Sequence, residues 1–464
     1  MTSDDLLAPL DLAFWNIESE RHPMHLGALG VFTAHSPTAG AHAVELLAAR
    51  AAAVPGLRMR IRDVWTPLDP RRPFPSGLRP SLSFGGAARE PDPGFDPLHH
   101  VRLHTSGDDF QAAAGRLMER PLERDRPPWE AHVLPGEDGV SFAVLFKFHH
   151  ALADGLRALT LAAAILDPMD LPPPRPRRAE PARRPLTGLD GSPGPLPDVS
   201  RLPALLRGAL SDAGRALGIG AGVARSALDV RSSPALACAP SGTRRTAGAV
   251  IDLDDVHRVR KAVGGTVNDV LIAVVAGALR RWLDDRGDGS EGVAPRALIP
   301  VSTRRPRTAH PQGNRLSGYL VRLPVGEPDP LLRLGAVRTA MDTNKDAGPH
   351  RGAGAVALLA DHVPALGHRL GGPLAAQAAR LWFDVLVTSV PLPSLGLRLG
   401  GAPLAEVYPY APLAHGHSLA VAVSTYRGAV HYGLVADAEA VPDLDRLARA
   451  LTDEVRTLIM VCTP

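Results

Sequence analysis

The sequence predicts an α/β protein built from two domains. Its 464 residues are enough for two large domains, or for about three of ordinary size. Segments of strand and helix character alternate along both halves of the chain, and a stretch rich in proline and arginine separates the halves. Hydrophobic residues make up 45% of the chain and charged residues 21%, as in ordinary globular proteins, which excludes disorder throughout.

The first half alternates strands and helices. Segment 140–148 is the clearest strand, because Phe142, Val144 and Phe146 occupy alternate positions and therefore share one face. The remaining segments follow from hydrophobic spacing: a strand at 24–32 and helices at 41–53, 110–120 and 156–166.

The second half repeats this mixture. Segment 266–282 predicts a long helix that is apolar on most sides. Its other predicted elements are strands at 249–253, 296–300 and 319–323, a mainly helical region at 352–383, and a hairpin formed by 419–424 and 429–434.

Residues 171–198 interrupt the pattern with nine prolines and five arginines in 28 positions. Such a composition favours an extended, solvated backbone and predicts an interdomain linker. Helical spacing returns at 201–230, as a helix packed on the domains or as a surface that touches lipid. The predicted domains are 1–170 and 246–464, joined by a linker and connecting helix at 171–245.

Several classes of protein are excluded by composition. Two cysteines, Cys238 and Cys462, rule out a disulfide framework and a cysteine-based zinc site, and they fit a reducing compartment. The acidic start of the chain differs from a signal peptide, and no run of 18 uncharged apolar residues occurs. No set of residues has convincing metal spacing, and no nucleic-acid module is present. We therefore expect a cytoplasmic protein without a bound metal or cofactor.

The sharpest motif is His-His-Ala-Leu-Ala-Asp-Gly at 149–155, between the strand at 140–148 and the following helix. A histidine at a strand end of an α/β protein can act as a general base near neutral pH, which is the role we predict for His150. Asp154 can cap the following helix or pair with a distant arginine. Gly155 is expected to allow tight backbone geometry.

A second histidine pair, His99-His100, provides an internal comparison. It also heads a strand-like segment, but no aspartate lies four residues beyond it and no glycine follows. We therefore predict a structural role for that pair.

Residues 149–155 resemble the signature of the CoA-dependent acyltransferase superfamily, which includes chloramphenicol acetyltransferase. Further segments resemble bacterial wax ester synthase/diacylglycerol acyltransferases in chain order. They are Pro9-Leu10-Asp11 with Phe14-Trp15, Pro23 to Gly27, Pro127-Pro128-Trp129-Glu130, Asn268-Asp269 with 270–273, Arg296, Pro300 to Arg304, and Gly313-Asn314-Arg315. The resemblance implies two chloramphenicol-acetyltransferase-like domains, each a mixed sheet with flanking helices, and an active-site channel between them.

Three departures from the family pattern are present. Pro128 replaces the leucine of a Pro-Leu-Trp element, and Thr425-Tyr426 stands where Ser-Tyr is common. Thr388 to Pro393 lacks the asparagine and glycine of a Ser-Asn-Val-Pro-Gly-Pro block. The last two changes fall in the second domain and concern the preference for acceptor and acyl chain more than the chemistry.

The resemblance implies direct transfer of an acyl group from acyl-CoA, as co-substrate, to an alcohol. His150 would take the proton of the acceptor hydroxyl and later protonate the CoA thiolate. His149 is expected to pack or orient the loop. The resemblance also implies that Asp154 pairs with an arginine, for which we select Arg304, and so locks the loop.

Five residues have two interpretations each. Asn268 and Asp269 are either the N-cap of their helix or, through the asparagine amide, close to the oxyanion or the pantetheine arm. Arg304 and Arg315 either form ion pairs or bind CoA phosphates. Trp129 either packs in the core or lines the acyl channel.

Three functions remain open at this point. The first is a long-chain acyltransferase that makes triacylglycerol or wax ester from diacylglycerol or a fatty alcohol. The second is a relative that esterifies a specialised metabolite, and the third is a silent acyl-CoA- or lipid-binding protein. For the first we expect peripheral contact with the inner membrane face or with lipid droplets.

Overall fold

The computed structural model describes residues 6–64, 86–105, 109–168, 233–302, 316–347, 382–390, 392 and 396–462. The helices in these ranges are α1 (Pro9–Ile17), α2 (Ala39–Ala53), α3 (Pro97–His100), α4 (Phe110–Met118), α5 (Gly155–Ala163), α6 (Leu253–Val263), α7 (Val267–Arg286), α8 (Pro330–Ala347) and α9 (Leu444–Cys462). Two short 3-10 turns add Pro55–Arg58 and Pro234–Leu236.

The strands in the same ranges are β1 (His25–Thr33), β2 (Met59–Val64), β3 (Gly86–Pro91), β4 (Val101–Leu103), β5 (Trp129–Pro135), β6 (Ser141–His149), β7 (Asp167–Pro168), β8 (Arg244–Asp252), β9 (Arg296–Ser302), β10 (Leu316–Arg322), β11 (Val385–Ser389), β12 (Leu397–Leu399), β13 (Ala402–Tyr410), β14 (Leu419–Tyr426) and β15 (Ala429–Asp437). The structure therefore confirms a mixed α/β fold.

Two large sheets organise the molecule. The first has the strand order β4-β5-β6-β1-β13-β12-β7, and its inner strand β6 pairs antiparallel with β5 and β1. The second has the order β10-β9-β11-β14-β15-β8, and β2 and β3 form a separate hairpin. One core packs α2 and α5 on the first sheet, and another packs α6, α7, α8 and α9 on the second.

The first sheet contains strands from both halves of the chain. β12 and β13 belong to the second half of the sequence but complete the first sheet through pairing of β13 with β1. The sheets therefore do not divide at the predicted boundary between residues 170 and 246. Where β13 crosses β15, a Cβ on Gly433 would collide with the Pro409 carbonyl oxygen, so glycine permits this backbone contact.

α7 is the central helix of the second core. Its residues from Asp269 to Leu279, together with Trp282 and Leu283, are buried, as the apolar sequence predicts. The helix ends at Gly287, which adopts the left-handed conformation with a φ of 78°.

The described part of the chain confirms the predicted strands and helices, with bounds shifted by a few residues. The predicted linker at 171–198 and the helical segment at 201–230 lie outside the described residues, as does nearly all of 352–383. In the described part no single helix is long and apolar enough to cross a membrane. The bent pair formed by α6 and α7 passes that test by length and composition only.

Candidate active site

The end of β6 and the start of α5 position His150. β6 ends at His149, α5 begins at Gly155, and the residues between them form a short loop. The His150 backbone N–H donates to the Met24 carbonyl oxygen at 2.9 Å. The imidazole stacks on the Phe14 ring of α1, with 4.0 Å between centroids and an interplanar angle of 15°. Main-chain and ring contacts therefore hold His150 from two sides.

Burial sets the protonation state of His150. It lowers the pKa of the imidazole to about 4, against the opposing effects of a hydrogen bond to its own main chain and of the Asp154 charge. A pKa of about 4 leaves the ring neutral near pH 7, so it can accept a proton.

His149 is buried and bound to the loop that follows it. It is 1% exposed, and its Nδ1 accepts a hydrogen bond from the Ala151 backbone N–H at 3.0 Å. This bond places the ring proton on Nε2, which lies 3.3 Å from the Glu18 carboxylate. The contact is an electrostatic one, since its geometry falls short of a hydrogen bond. The structure thus supports the predicted orienting role of His149.

Glu18 joins three segments around the loop. Its carboxylate accepts from the Met24 backbone N–H at 3.0 Å and lies 3.3 Å from Arg124 Nη2. Burial raises the pKa of this carboxyl, but His149, Met24 and Arg124 together outweigh that effect and lower the pKa below its ordinary value. Glu18 is therefore an anion near neutral pH, fixed beneath the loop.

A buried ion pair holds the loop from the other side. Arg89 Nη2 lies 2.7 Å from Asp11 Oδ2 and donates to the Ala151 carbonyl oxygen at 2.8 Å. Asp11 and Arg89 are 1% and 5% exposed, so water does not replace these contacts. Ala151 is consequently bound at its N–H by His149 and at its carbonyl by Arg89.

Asp154 and Gly155 join the loop to α5 and to the segment that follows β11. The Asp154 carboxylate accepts from the Arg157 N–H at 2.8 Å and is the N-cap of α5, one of the two predicted roles. Gly155 has no left-handed φ; instead, a Cβ there would lie 3.1 Å from Val390 Cγ2. Gly155 therefore does not serve a left-handed φ, and the close contact with Val390 is the tight geometry that favours a residue without a side chain at this position.

Asn268 and Asp269 open α7, but neither is its N-cap. Thr266 holds that position: its hydroxyl accepts from the Asp269 N–H at 3.2 Å, and Asp269 Oδ2 accepts from the Thr266 N–H at 2.8 Å. This reciprocal pair is a capping box. The prediction that Asn268 or Asp269 is the N-cap is therefore wrong, because Thr266 is the N-cap, although Asp269 takes part in capping the helix. Asn268 is partly exposed in the first turn.

Trp129 packs in the core of the first sheet. It has no exposed surface, its Nε1 donates to the Leu57 carbonyl oxygen at 2.7 Å, and His100 stacks on it at 4.7 Å. His100 in turn donates from Nδ1 to the Trp129 carbonyl oxygen at 2.8 Å. These contacts support core packing for Trp129 and a structural role for His100. Arg304 and Arg315 lie outside the described residues.

Sequence reasoning missed Glu18 and Arg89 as supports of the loop. Asp11 and Phe14-Trp15 had been singled out as a motif without a role, and the structure places all three against the loop or its supports. Nothing near Arg89 in sequence indicates its contact, because its partners are 78 and 62 positions away. Within the described ranges, no group of three or more His, Cys, Asp or Glu side chains is placed to bind a metal ion.

Comparisons with known proteins agree with this architecture. Residues 7–271 match the model of the wax ester synthase/diacylglycerol acyltransferase catalytic domain, and residues 312–458 match that of the family's C-terminal domain. Two Mycobacterium tuberculosis proteins, each named as a probable diacylglycerol O-acyltransferase, are similar over their lengths. One is 31% identical over 98% of this chain and 98% of its own, and the other 30% identical over 98% and 96%.

Two solved structures share the fold. A wax ester synthase/diacylglycerol acyltransferase from Marinobacter aquaeolei superposes with a TM-score of 0.68 at 22% identity, covering 100% of both chains. A trichothecene 15-O-acetyltransferase from Fusarium sporotrichioides gives 0.57 at 11% identity, covering 98% of this chain and 94% of its own. With the family models matched on both sides of the chain, this protein belongs to the wax ester synthase/diacylglycerol acyltransferase family and is an acyltransferase.

Proposed function

We propose that this protein transfers a long-chain acyl group from acyl-CoA to the hydroxyl of diacylglycerol or of a long-chain alcohol, with His150 as general base. The observation that carries the proposal is the state of His150. It is a neutral imidazole held on Phe14 at the end of β6, in a loop fixed from both sides. Pure binding of acyl-CoA would not need such a base.

A hydrogen bond to the main chain indicates which nitrogen acts. The imidazole hydrogen-bonds to its own main chain, and only Nδ1 can reach the carbonyl of the same residue. The proton therefore lies on Nδ1, and Nε2 carries the lone pair that accepts a proton.

The reaction then follows in two proton transfers. Nε2 takes the proton of the acceptor hydroxyl as its oxygen attacks the thioester carbonyl carbon. The C–S bond of the tetrahedral intermediate breaks, and Nε2 returns the proton to the departing CoA thiolate. Binding both substrates beside one base supplies proximity, and no acyl-enzyme is needed.

The burial of His150 is compatible with its role as general base. A pKa of about 4 makes His150 a weak base, but the neutral form is fully populated near pH 7. The imidazolium that forms during transfer is stabilised by the Asp154 charge and by the main-chain hydrogen bond, the two effects that raise the pKa. The proposed pairing of Asp154 with Arg304 and the proposed Asn268 contact with the oxyanion would add to the site from the second half of the chain.

A specialised-metabolite acceptor is the second candidate. Val390 packs on Gly155 and belongs to the segment in which the family's asparagine and glycine are replaced. These departures therefore lie beside the active loop, where they can alter the acceptor. For the storage-lipid function we propose a cytoplasmic enzyme in peripheral contact with the inner membrane face or with lipid droplets, because its acceptors are water-insoluble.

The test is product formation by the purified protein with radiolabelled palmitoyl-CoA and diolein, hexadecanol or no acceptor. His150→Ala is assayed in parallel, and His99→Ala serves as a control at an exposed histidine. We expect neutral lipid that requires an acceptor, disappears in His150→Ala and persists in His99→Ala. Release of CoA that depends on His150 without either lipid product would favour a different acceptor. Absence of CoA release under all conditions would contradict the enzyme assignment.

A further inference from the structure

A buried histidine on the second sheet, His431, has no part in the reaction described above. It lies on β15 and is 1% exposed. Its neighbours along the strand, Val430 and Tyr432, belong to the second core, so the imidazole points to the opposite face of the sheet. β13 of the first sheet crosses that face, where Gly433 meets the Pro409 carbonyl. His431 therefore lies between the two sheets.

Aromatic rings surround the imidazole, but its Nδ1 makes no polar contact. The Tyr408 ring of β13 meets it edge-on with 6.0 Å between centroids, and the Tyr426 ring of β14 lies 6.5 Å away. Among the residues that the structure describes, Nδ1 has no hydrogen-bond partner. The tyrosine hydroxyls are bound elsewhere: Tyr408 donates to the Glu406 carboxylate at 2.6 Å, and Tyr426 accepts from the Leu397 N–H at 2.9 Å.

This unsatisfied nitrogen sets His431 apart from other buried histidines. His100 and His417 are also buried, but a ring nitrogen of each donates to a main-chain carbonyl oxygen, at 2.8 and 2.7 Å respectively. Burial alone lowers the pKa of His431 to about 4, so the ring is neutral near pH 7 and carries one N–H donor and one acceptor. A buried polar atom without a partner destabilises the fold, and native proteins contain few of them.

Ser424 connects His431 to the active loop. It is the cross-strand partner of His431 on β14, and the side chains of such a pair share one face with Cβ atoms about 4.5–5.5 Å apart. The Ser424 hydroxyl donates to the Val390 carbonyl oxygen at 2.7 Å. Val390 in turn packs on Gly155, the first residue of α5. Three successive contacts therefore lead from the imidazole to the end of the loop that carries His150.

We propose that His431 is a substrate-binding residue, whose Nδ1–H donates to a carbonyl oxygen of a substrate bound between the sheets beside the active loop. The inference rests on the proposed function. Two groups share this chemistry: an ester carbonyl of diacylglycerol, and an amide carbonyl in the pantetheine arm of acyl-CoA. A bound carbonyl would satisfy the buried nitrogen, so the cost of His431 to the fold is returned as binding.

Three variants separate this role from a structural one. His431→Phe keeps a ring in place and removes the hydrogen bond, whereas His431→Asn keeps a donor near the position of Nδ1 but leaves a smaller side chain. His100→Phe is the matched control, since it removes a nitrogen that is bound to the Trp129 carbonyl oxygen. In urea unfolding we expect His431→Phe to be at least as stable as the wild type, and the other two variants to be less stable.

Calorimetric titration of the full chain with CoA and with dioctanoylglycerol measures binding without turnover. We expect His431→Phe to weaken the binding of one of these ligands by about 3–10-fold, as the loss of one neutral hydrogen bond predicts. His431→Asn should retain more of the affinity, and His100→Phe should stay within about 2-fold of the wild type. If the wild type makes no neutral lipid but its binding still depends on His431, the proposed function fails and the binding role stands.

The ligand that is affected identifies the source of the carbonyl. Weaker dioctanoylglycerol binding, with a raised KM for diolein and an unchanged KM for hexadecanol, assigns the contact to the acceptor ester. Weaker CoA binding, with a raised KM for palmitoyl-CoA, assigns it to the pantetheine amide. Equal affinities of the wild type and His431→Phe for both ligands would overturn the proposal. So would a loss of stability in His431→Phe as large as in His100→Phe, or no binding of either ligand at millimolar concentration.

Discussion

Arg89 Nη2 lies 2.7 Å from the Asp11 carboxylate and also donates to the carbonyl oxygen of Ala151, the residue after His150. The pair brings α1 and β3 together under the active loop. It is buried, so each charge depends on the other for its stability.

We therefore expect Asp11→Asn to lower the free energy of unfolding by about 3–5 kcal/mol, because it leaves the buried Arg89 charge uncompensated. The measurement is urea unfolding. Arg60→Gln is the control on the neighbouring hairpin, where Arg60 pairs with Glu90 at 2.6 Å but is partly exposed. That variant should lose about 1 kcal/mol or less. Equal losses in the two variants would contradict the supporting role of the Asp11–Arg89 pair.

His149 should tolerate a substitution that keeps its acceptor. In His149→Asn the amide oxygen can replace Nδ1 and accept from the Ala151 N–H, whereas His149→Ala leaves that buried donor unsatisfied. Such a loss costs about 1–3 kcal/mol. We expect kcat/KM to fall less in the asparagine variant than in the alanine variant, and much less than in His150→Ala. Inactivity of His149→Asn equal to that of His150→Ala would indicate a chemical role for His149.

The sequence was sufficient to predict the strand–loop–helix setting of His150. The alternation of Phe142, Val144 and Phe146 marks one face of β6, and the aspartate of the motif is the N-cap of α5. These features depend on neighbours within a few positions, and local spacing is what a single sequence records.

The long-range supports could not be predicted in this way. Arg89 contacts the loop from a different hairpin, and β13 enters the first sheet from the other half of the chain. The contact between Gly155 and Val390 could not be predicted either, because the two residues are 235 positions apart in sequence. These contacts depend on tertiary packing, and the local spacing of hydrophobic residues does not indicate them.

Gly155 and Val390 provide a test of packing between the halves. Gly155→Ala places a Cβ 3.1 Å from Val390 Cγ2, which is tighter than ordinary van der Waals contact. We expect a loss of about 1–3 kcal/mol in stability and a lower kcat/KM. Adding Val390→Ala to the Gly155→Ala variant should restore much of the lost stability and of the lost kcat/KM, because it removes the opposing methyl groups. If the double variant is no better than Gly155→Ala alone, the contact is not the reason for the glycine.

Asp154 has a cap role in the structure and a proposed ion pair with Arg304. Asp154→Asn keeps a good N-cap but removes the charge, whereas Asp154→Ala removes both. If capping is the whole role, asparagine should be nearly neutral and alanine should cost about 0.5–2 kcal/mol. If the ion pair exists, asparagine should also be damaging, and a double-mutant cycle with Arg304→Gln should show coupling. Additive effects in that cycle would exclude the proposed pair.

Buried histidines should make the fold sensitive to acid. Burial lowers the pKa of His22, His150 and His431 to about 4, below the value of about 6.5 in an unfolded chain. Above pH ~6.5 each group is neutral in both states and does not affect stability, and as the pH falls from 6.5 toward 4 each group destabilises the fold, because the unfolded chain binds a proton that the folded chain excludes. Each contributes at most about 3 kcal/mol over that interval.

A substitution at His431 measures the contribution of one buried histidine to the acid sensitivity. It is 1% exposed, and its Nδ1 has no hydrogen-bond partner among the described residues. His431→Phe should therefore be neutral or slightly stabilising at pH 7.5, since it removes an unsatisfied polar atom. Between pH 6.5 and 4.5 the variant should lose less stability than the wild type, because one fewer group must be charged on unfolding. Urea unfolding at several pH values measures both effects. If the free energy of unfolding changes with pH in the same way in the two proteins, His431 does not contribute to the acid sensitivity.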